Sequence, residues 1–233
     1  MKTVTVNLNT QNYPSQLAQA LGRRAPGQLD CRGNLELLRT PGVGFSGARQ
    51  ASPKGLEQAD TYARQLAREG WTIVSGHASG VDVASHRAAL AAGGTTILVL
   101  PHGMDQFRLR PELQPVWDWR RALVVSPYEP QAAFKPFRAI QRNAVIAGLS
   151  QGVVVFEAGN LGGTLNTGLT TLKLKRPLFA AVYEEMPPTA PGNRLLIARG
   201  ARELETDQET PARNAHRMAE VMEQANNWML ASA

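Results

Sequence analysis

The chain has 233 residues, 43% of them hydrophobic, and a formal net charge of +6. A single cysteine, Cys31, excludes an intrachain disulfide and a thiolate metal cluster, and the four histidines lack zinc-like spacing. The N-terminus lacks the apolar core of a signal peptide, and no run approaches the ~18 apolar residues of a membrane span. We therefore expect a cytoplasmic protein with no metal, no cofactor and no membrane contact.

The first 40 residues have a mixed pattern. Residues 4–8 alternate weakly between apolar and polar, which predicts a short edge strand, and residues 13–17 predict a turn into a short helix. Gly33-Asn34 indicates a turn. Because residues 1–40 hold too few apolar side chains for a core of their own, we expect an N-terminal arm that packs on the main domain.

From residue 43 onward, short apolar runs alternate with helical patterns. This alternation predicts an α/β fold with a doubly wound, mostly parallel sheet and helices on both faces. We place the main domain at residues 41–205 and a C-terminal helix within residues 206–233. The predicted strands cover residues 43–46, 72–75, 96–100, 123–126, 152–156 and 178–182, and the predicted helices include residues 81–92, 137–149 and 212–230.

Glycine-rich loops follow several of these strands. In a doubly wound sheet the carboxyl ends of the strands meet at one edge, where glycine loops expose backbone N–H groups to phosphate. We expect four loops to line one crevice, with Thr164 capping a helix there and reaching a phosphate oxygen. The alternative is that the glycines only permit tight turns. The four loops contain Gly47, residues 76–80, Gly103 and residues 159–163.

Four motifs carry a resemblance to a known family. Gly47-Ala48-Arg49 is similar to a Gly-Ser-Arg loop, and Ser75-Gly76-His77-Ala78-Ser79-Gly80-Val81-Asp82 to Ser-Gly-x-Ala-x-Gly-Ile-Asp. Arg142-Asn143-Ala144-Val145-Ile146-Ala147-Gly148-Leu149-Ser150 is similar to Arg-Asn-Arg-Ile-Ile-Ala-Gly-Leu-Ser, and Gly163-Thr164-Leu165 to Gly-Ser-Leu. The chain thus resembles the DprA/Smf family, the DNA-processing proteins of natural transformation.

The resemblance implies an extended Rossmann-like domain that binds single-stranded DNA in a basic pocket. It also implies a homodimer that passes single strands to a RecA-type recombinase in DNA recombination, with no catalysis. Many family members add an N-terminal helical domain or a C-terminal winged helix, and we expect neither in these 233 residues. The DNA- or phosphate-binding residues that follow are Gly47, Ala48, Arg49, Gly76, Ser79, Gly80, Lys135, Phe137, Arg138, Arg142, Asn143, Gly162, Gly163 and Thr164.

The chain departs from the family pattern at two points. Ala144 replaces the second arginine of Arg-Asn-Arg, which removes one cation from the expected pocket. The spacing before Arg142 also differs, so either Phe134 or Phe137 could be the aromatic residue that stacks on a base. Arg142 itself has an alternative role, pairing with Glu157.

Two further hypotheses keep the crevice but change the ligand. One is a phosphoribohydrolase resembling the Lonely Guy enzymes, and the other is a sensor that binds a small nucleotide. In this chain no glutamate follows Gly162-Gly163-Thr164, and Glu157 is the only nearby carboxylate. A glycoside hydrolase needs a carboxylate at the reaction centre, so we favour binding and name no catalytic residue.

Two other groups of charged residues have ordinary structural interpretations. Asp82 and His86 lie one helical turn apart, as an acid–base pair would, but a carboxylate near a helix start also stabilises the helix dipole. Lys173, Lys175 and Arg176 follow a predicted helix and are interpreted mainly as solvated charges.

Overall fold

A computed structural model describes residues 1–206 and 210–231, with side chains through residue 227. Residues 207–209 and 232–233, which fall within the predicted C-terminal segment, lie outside the described residues. The strands are β1 (Val4–Asn7), β2 (Gln28–Gly33), β3 (Gly42–Gly47), β4 (Thr72–Ser75), β5 (Thr96–Val99), β6 (Ala122–Ser126), β7 (Gly152–Phe156), β8 (Leu178–Val182) and β9 (Arg202–Glu205).

Seven α-helices lie within the same part of the chain. They are α1 (Ser15–Leu21), α2 (Pro53–Arg68), α3 (Val81–Ala91), α4 (Pro136–Leu149), α5 (Gly163–Lys173), α6 (Gly192–Ile197) and α7 (Pro211–Ala231). The helix α2 begins as its sequence suggests, because the Ser52 side chain accepts a hydrogen bond from Gly55 N and proline occupies the first turn.

The described strands form one nine-stranded sheet in the order β1-β2-β6-β5-β4-β3-β7-β8-β9. β1 and β2 are antiparallel additions beside β6, and all other neighbouring pairs are parallel. The chain leaves β6 and returns on the far side of β3 as β7, so the winding direction reverses between β3 and β7. The predicted doubly wound, mostly parallel fold is confirmed.

Alternate side chains of the central strands enter two separate cores. In β7, Val154 and Phe156 pack with α2 and α7, while Val153 and Val155 pack on the opposite face with α5 and α6. Helices therefore cover both faces of the sheet, which explains why β7 reads as an uninterrupted apolar run.

Two strands were missed in the sequence. In β2, Leu29 and Cys31 face the core while Asp30 and Arg32 alternate with them, and Asp30 accepts a hydrogen bond from Thr5 Oγ1 at 2.7 Å. In β9, Leu204 is the only buried apolar residue. Both segments are short and contain charged residues. Each adopts the strand conformation by pairing with a neighbour, β2 with β6 and β9 with β8.

Candidate phosphate-binding crevice

Three of the predicted glycine loops meet at the point where the winding direction reverses. Val81 N donates to Ala48 O at 3.3 Å, and Thr164 Oγ1 donates to Gly47 O at 2.9 Å. A Cβ atom at Gly80 would lie 2.2 Å from Ala48 O, so only glycine fits this contact. The loops after β4 and β7 are therefore each joined directly to the loop after β3.

The fourth predicted loop behaves differently. A Cβ atom at Gly103 would lie 2.1 Å from Pro130 O, so this glycine packs against the loop that follows β6. Its neighbours Pro101 and His102 nevertheless reach the edge of the crevice.

Two adjoining cavities occupy the crevice, one of about 450 Å³ and one of about 250 Å³. Arg49, Phe134 and Arg142 line both cavities, so these side chains stand between them. Arg49 is exposed at the rim, whereas Arg142 is buried in the wall. The two cavities share lining residues and together form a groove large enough for a nucleotide.

Arg142 is the buried cation of this groove. It is only 6% exposed, and its Nε atom is buried without a hydrogen-bond partner among the described residues. Burial lowers the pKa of its guanidinium, while the nearby Asp82 carboxylate opposes that shift. Because its buried Nε makes no hydrogen bond with the described residues, the position favours an incoming anionic acceptor.

Gly76 lets Arg142 take this position. A Cβ atom at residue 76 would lie 1.8 Å from Arg142 Nη1 and 2.4 Å from Asp82 Oδ2. Any side chain here would displace the guanidinium. Gly76 therefore acts on the crevice through its missing side chain, although it does not itself line either cavity.

Asp82 and His86 do not form an acid–base pair. Asp82 accepts a hydrogen bond from Ala78 N at 3.2 Å, and burial raises the pKa of its carboxyl. His86 donates from Nε2 to Gly76 O at 2.7 Å, while its Nδ1 lies 2.6 Å from Thr96 Oγ1. Burial lowers the pKa of His86 to about 4, so this histidine is a neutral support for the Gly76 loop.

The alternative pairing of Arg142 with Glu157 is wrong. Glu157 accepts hydrogen bonds from Ser52 N at 2.8 Å, from Ser52 Oγ and from the Tyr183 hydroxyl. It is 4% exposed, has a backbone φ of +52°, and lines neither cavity. Its carboxylate joins β7 to the start of α2 and does not pair with Arg142.

Comparison with known proteins identifies the family of the chain. The sequence model of the family described as "DNA recombination-mediator protein A" matches residues 4–215. The chain belongs to this family. It is 35% identical to the DNA processing protein DprA of Streptococcus pneumoniae over 86% of this chain and 70% of that protein.

Solved structures of family members share the fold. The X-ray structure of S. pneumoniae DprA has a TM-score of 0.81 and 32% identity, covering 95% of this chain and 75% of that one. A structure of Helicobacter pylori DprA, which concerns the single-stranded DNA-binding mode of that protein, has a TM-score of 0.78 and 24% identity. It covers 94% of this chain and 97% of that one.

Of the predicted site residues, seven line the two cavities. Asn143 lies beside Arg142, and its Nδ2 donates to Gly163 O at 3.1 Å, which joins α4 to the first turn of α5. Ala48, Gly76 and Gly80 brace the wall from behind. The seven lining residues are Gly47, Arg49, Ser79, Arg142, Asn143, Gly163 and Thr164.

Thr164 does not cap the helix α5. Gly162, with a φ of +109°, takes the cap position, and no side chain caps this helix. The Thr164 hydroxyl instead donates to Gly47 O, so its proton is directed at the protein backbone. The first turn of α5 therefore has no side-chain cap, and its residues Gly163 and Thr164 line the larger cavity.

Lys135, Phe137 and Arg138 lie outside the lining of both cavities. The Arg138 guanidinium lies over the rings of Tyr128 and Phe137, at 5.4 and 5.8 Å from their centres, and its Nη1 donates to Ala133 O. Phe134, by contrast, is 50% exposed and faces both cavities. Of the two phenylalanines, Phe134 is the one at the crevice.

Sequence reasoning missed four other lining residues on α4, the first of which is Pro136. Ala139, Ile140 and Ile146 line the larger cavity together with Arg142 and Asn143. The spacing of residues 139, 142, 143 and 146 is the i, i+3, i+4, i+7 pattern of one helix face, so the signal was present. Ile140 is 47% exposed, which gives the crevice an apolar edge.

His77 was also missed as a lining residue of the smaller cavity. Its ring lies 5.4 Å from the Phe107 ring, and its Nε2 is buried without a described partner. Burial lowers the pKa of His77 to about 3, so the side chain is neutral near pH 7. It supplies a hydrogen-bonding group without charge.

Neither a metal-ligand cluster nor a membrane-spanning helix is found in the described part of the chain. Within residues 1–206 and 210–231, no three His, Cys, Asp or Glu residues are grouped so that they could hold a metal ion. Over the same residues, no helix is both long and apolar enough to cross a membrane.

Proposed function

We propose that this chain binds single-stranded DNA through its phosphate backbone in the crevice and acts as a recombination mediator in DNA processing. The observation that carries the proposal is the buried Arg142 guanidinium, whose Nε has no described partner and which faces both cavities. Membership in the family, and the H. pylori structure concerned with single-stranded DNA, support the choice of ligand.

The charge of the crevice favours an anion. The cations Arg49, Arg110 and Arg142 line the two cavities, and Asp82 is the only carboxylate among the described lining residues. Burial raises the pKa of Asp82, while the neighbouring Arg142 guanidinium acts in the opposite direction. The uncapped N-terminus of α5 adds backbone N–H donors and the positive end of a helix dipole.

Phe134 is the residue that we propose stacks on a base. Stacking on an aromatic ring contributes about 1–3 kcal/mol per base and tolerates any sequence. Since phosphate contacts also carry no base information, binding should show little sequence preference. Lys135 and Arg138 extend the positive surface beyond the cavities and would contact strand outside the crevice.

Titration of labelled oligo-dT at two salt concentrations tests the proposal. Arg49→Ala should weaken binding by about tenfold and reduce the salt slope by about 0.7, as expected for one lost phosphate contact on a single strand. Arg142→Ala should weaken it further, because its charge is desolvated. Arg68→Ala, an exposed cation at the far end of α2, is the control. Wild-type affinity in both crevice variants would remove this crevice from DNA binding.

The wider role is proposed on the family resemblance. We infer a cytoplasmic homodimer that delivers single strands to a RecA-type recombinase during natural transformation. Analytical ultracentrifugation tests the dimer, and recombinase filament formation on oligo-dT tests the delivery. Filament formation that this protein does not accelerate would contradict the mediator role and leave DNA binding standing.

The position of Glu157, the carboxylate that the hydrolase alternative would use, favours binding over hydrolysis. Glu157 is engaged by Ser52 and Tyr183 and lines neither cavity. Incubation with nucleoside monophosphates tests this point, because release of free base by the wild-type protein would overturn the preference for binding. Thermal-shift titration with nucleotides and with oligo-dT separates a nucleotide sensor from a strand binder.

A further inference from the structure

A second basic cavity, which we call the basic cleft, lies at the edge of the sheet opposite the crevice. Gln151, directly before β7, lines the basic cleft, and so does Lys173, the last residue of α5, whose first residue Gly163 lines the crevice. The volume is about 720 Å³, and none of the described lining residues is Asp or Glu. Its cations are Arg24, Arg39, Lys173, Lys175 and Arg176.

Arg176 is the buried cation of this cleft. It is 5% exposed, and its Nη2 makes long contacts to Gln16 O at 3.3 Å and Gly148 O at 3.4 Å. Its Nε and Nη1 have no described partner. Burial lowers the pKa to about 10, so the guanidinium stays charged at neutral pH. A buried charge without a counter-ion is unfavourable, and a bound anion would remove that cost.

The remaining cations surround Arg176 and are exposed to solvent. Lys175 has a φ of +56°, a conformation that glycine usually takes after a helix, yet the residue here is a lysine. Of the four exposed cations, Arg39 pairs with Glu36 at 3.2 Å, and both side chains are more than half exposed. That ion pair therefore holds Arg39 weakly.

The uncharged lining indicates which anion fits. Amide side chains of Gln19, Gln151 and Asn226 stand among the cations and supply neutral donors. Tyr13 is the only aromatic residue among the described lining residues, and it is 6% exposed with its hydroxyl bonded to Pro26 O. The described lining of the basic cleft thus offers cations and amides, but no exposed ring on which a base could stack.

We propose that the basic cleft is a second nucleic-acid contact, which holds phosphodiester groups by charge and amide donors without stacking bases. The inference rests on the proposed function, because it adds a second contact to a chain that already binds nucleic acid. The two sites lie at opposite ends of α5, whose 11 residues span about 16 Å. A short oligonucleotide in the crevice would not reach the cleft, whereas a long strand or a duplex could contact it.

Charge reversal at the exposed lysines tests the proposal. Lys173→Glu with Lys175→Glu should weaken binding of a single strand of about 30 nucleotides, of a duplex of the same length, or of both, by about tenfold or more. Binding of oligo-dT of about six nucleotides, which the crevice alone can hold, should change less than about twofold. Arg68→Glu with Arg213→Glu gives the same change in net charge at exposed positions outside the cleft. Unfolding curves of both variants check that each remains folded.

Each result bears on the proposal. Loss limited to the long single strand means that the strand continues from the crevice, while loss for the duplex means that the cleft acts independently; both support it. Unchanged binding of both long ligands, or equal weakening in the control variant, would overturn it. The proposal would also be overturned if the cleft variant lost affinity for poly-glutamate alone, because that result would assign the cleft to an acidic protein. Wild-type protein that fails to bind the short oligo-dT contradicts the proposed function instead, and the duplex titration still tests the cleft.

Discussion

Arg142 and Glu157 are both buried charges near the carboxyl edge of the sheet, yet their surroundings differ completely. Glu157 accepts hydrogen bonds from Ser52 and Tyr183, so its carboxylate is satisfied by groups within the fold. Arg142 keeps its Nε unpartnered and faces two cavities. Burial alone therefore does not identify a functional charge. What distinguishes Arg142, the proposed binding residue, is a buried Nε that has no partner among the described residues.

The largest expected effect is that of replacing Glu157 on the free energy of unfolding. Glu157→Gln places an amide donor where three donors now point at a carboxylate, and should lower the free energy of unfolding by about 2–3 kcal/mol. Affinity for oligo-dT should stay within about twofold of wild type, because residue 157 lines neither cavity. Denaturant unfolding measures the first quantity. Glu57→Gln, an exposed glutamate on α2, is the matched control. Lost DNA binding with unchanged stability would show that Glu157 belongs to the ligand site.

A methyl group at residue 76 tests whether the position of Arg142 matters for DNA binding. Gly76→Ala would force the Arg142 guanidinium from its place and should cost about tenfold in oligo-dT affinity, together with about 2 kcal/mol of stability from overpacking. Gly27→Ala is the control, because a Cβ atom there meets nothing within 4 Å. Full affinity in a folded Gly76→Ala protein would mean that the exact position of Arg142 is unimportant for binding.

The histidine that holds the Gly76 loop gives a prediction for pH. The pKa of His86 is about 4 in the folded protein against 6.5 in the unfolded chain, so the unfolded state binds protons first as pH falls. The stability contributed by neutral His86 is complete above about pH 6.5 and is lost as pH falls towards 4. The loss from His86 should be about 1.4 kcal/mol at about pH 5.5.

His77 adds to this acid sensitivity with the same sign, because burial lowers its pKa to about 3, whereas Asp82 opposes it because its pKa is raised. Unfolding curves at pH values from 7.5 to 5.5 (about the range where histidine titrates) measure the slope. His86→Gln should flatten the profile, while His216→Gln, whose side chain is 71% exposed, should leave it unchanged. An equally steep profile in His86→Gln would show that another group controls the acid response.

The smallest expected effect concerns the two phenylalanines. Phe134→Leu should weaken oligo-dT binding by about fivefold, or about 1 kcal/mol, since Phe134 faces both cavities and stacking is lost. Phe137→Leu should leave affinity within about twofold, because Phe137 lies beside Arg138 outside the cavities. The reverse result would assign stacking to Phe137 and move the DNA path towards Lys135 and Arg138.

Local patterns were sufficient to predict much of the fold. The apolar runs at β3, β4, β6, β7 and β8 were predicted because buried parallel strands are apolar on both faces. β2 and β9 were missed because each owes its conformation to a partner strand distant in sequence. In the crevice, the glycine loops and Arg142 were predicted, but Ala139 and Ile146 were overlooked although they share the helix face of Arg142.

The amino-acid sequence by itself determined the order of strands and helices, the placement of glycines where the strands end, and the family to which the chain belongs. These features depend on periodicity and residue spacing, which are properties of residues that are close together in the sequence. Tertiary structure alone decided that Glu157 is bonded, that Arg142 and Arg176 are buried with unpartnered nitrogen atoms, and that Phe134 rather than Phe137 faces the crevice. Whether a charge is satisfied depends on groups that may be more than a hundred residues away, as Ser52 is from Glu157, and only folding brings them together.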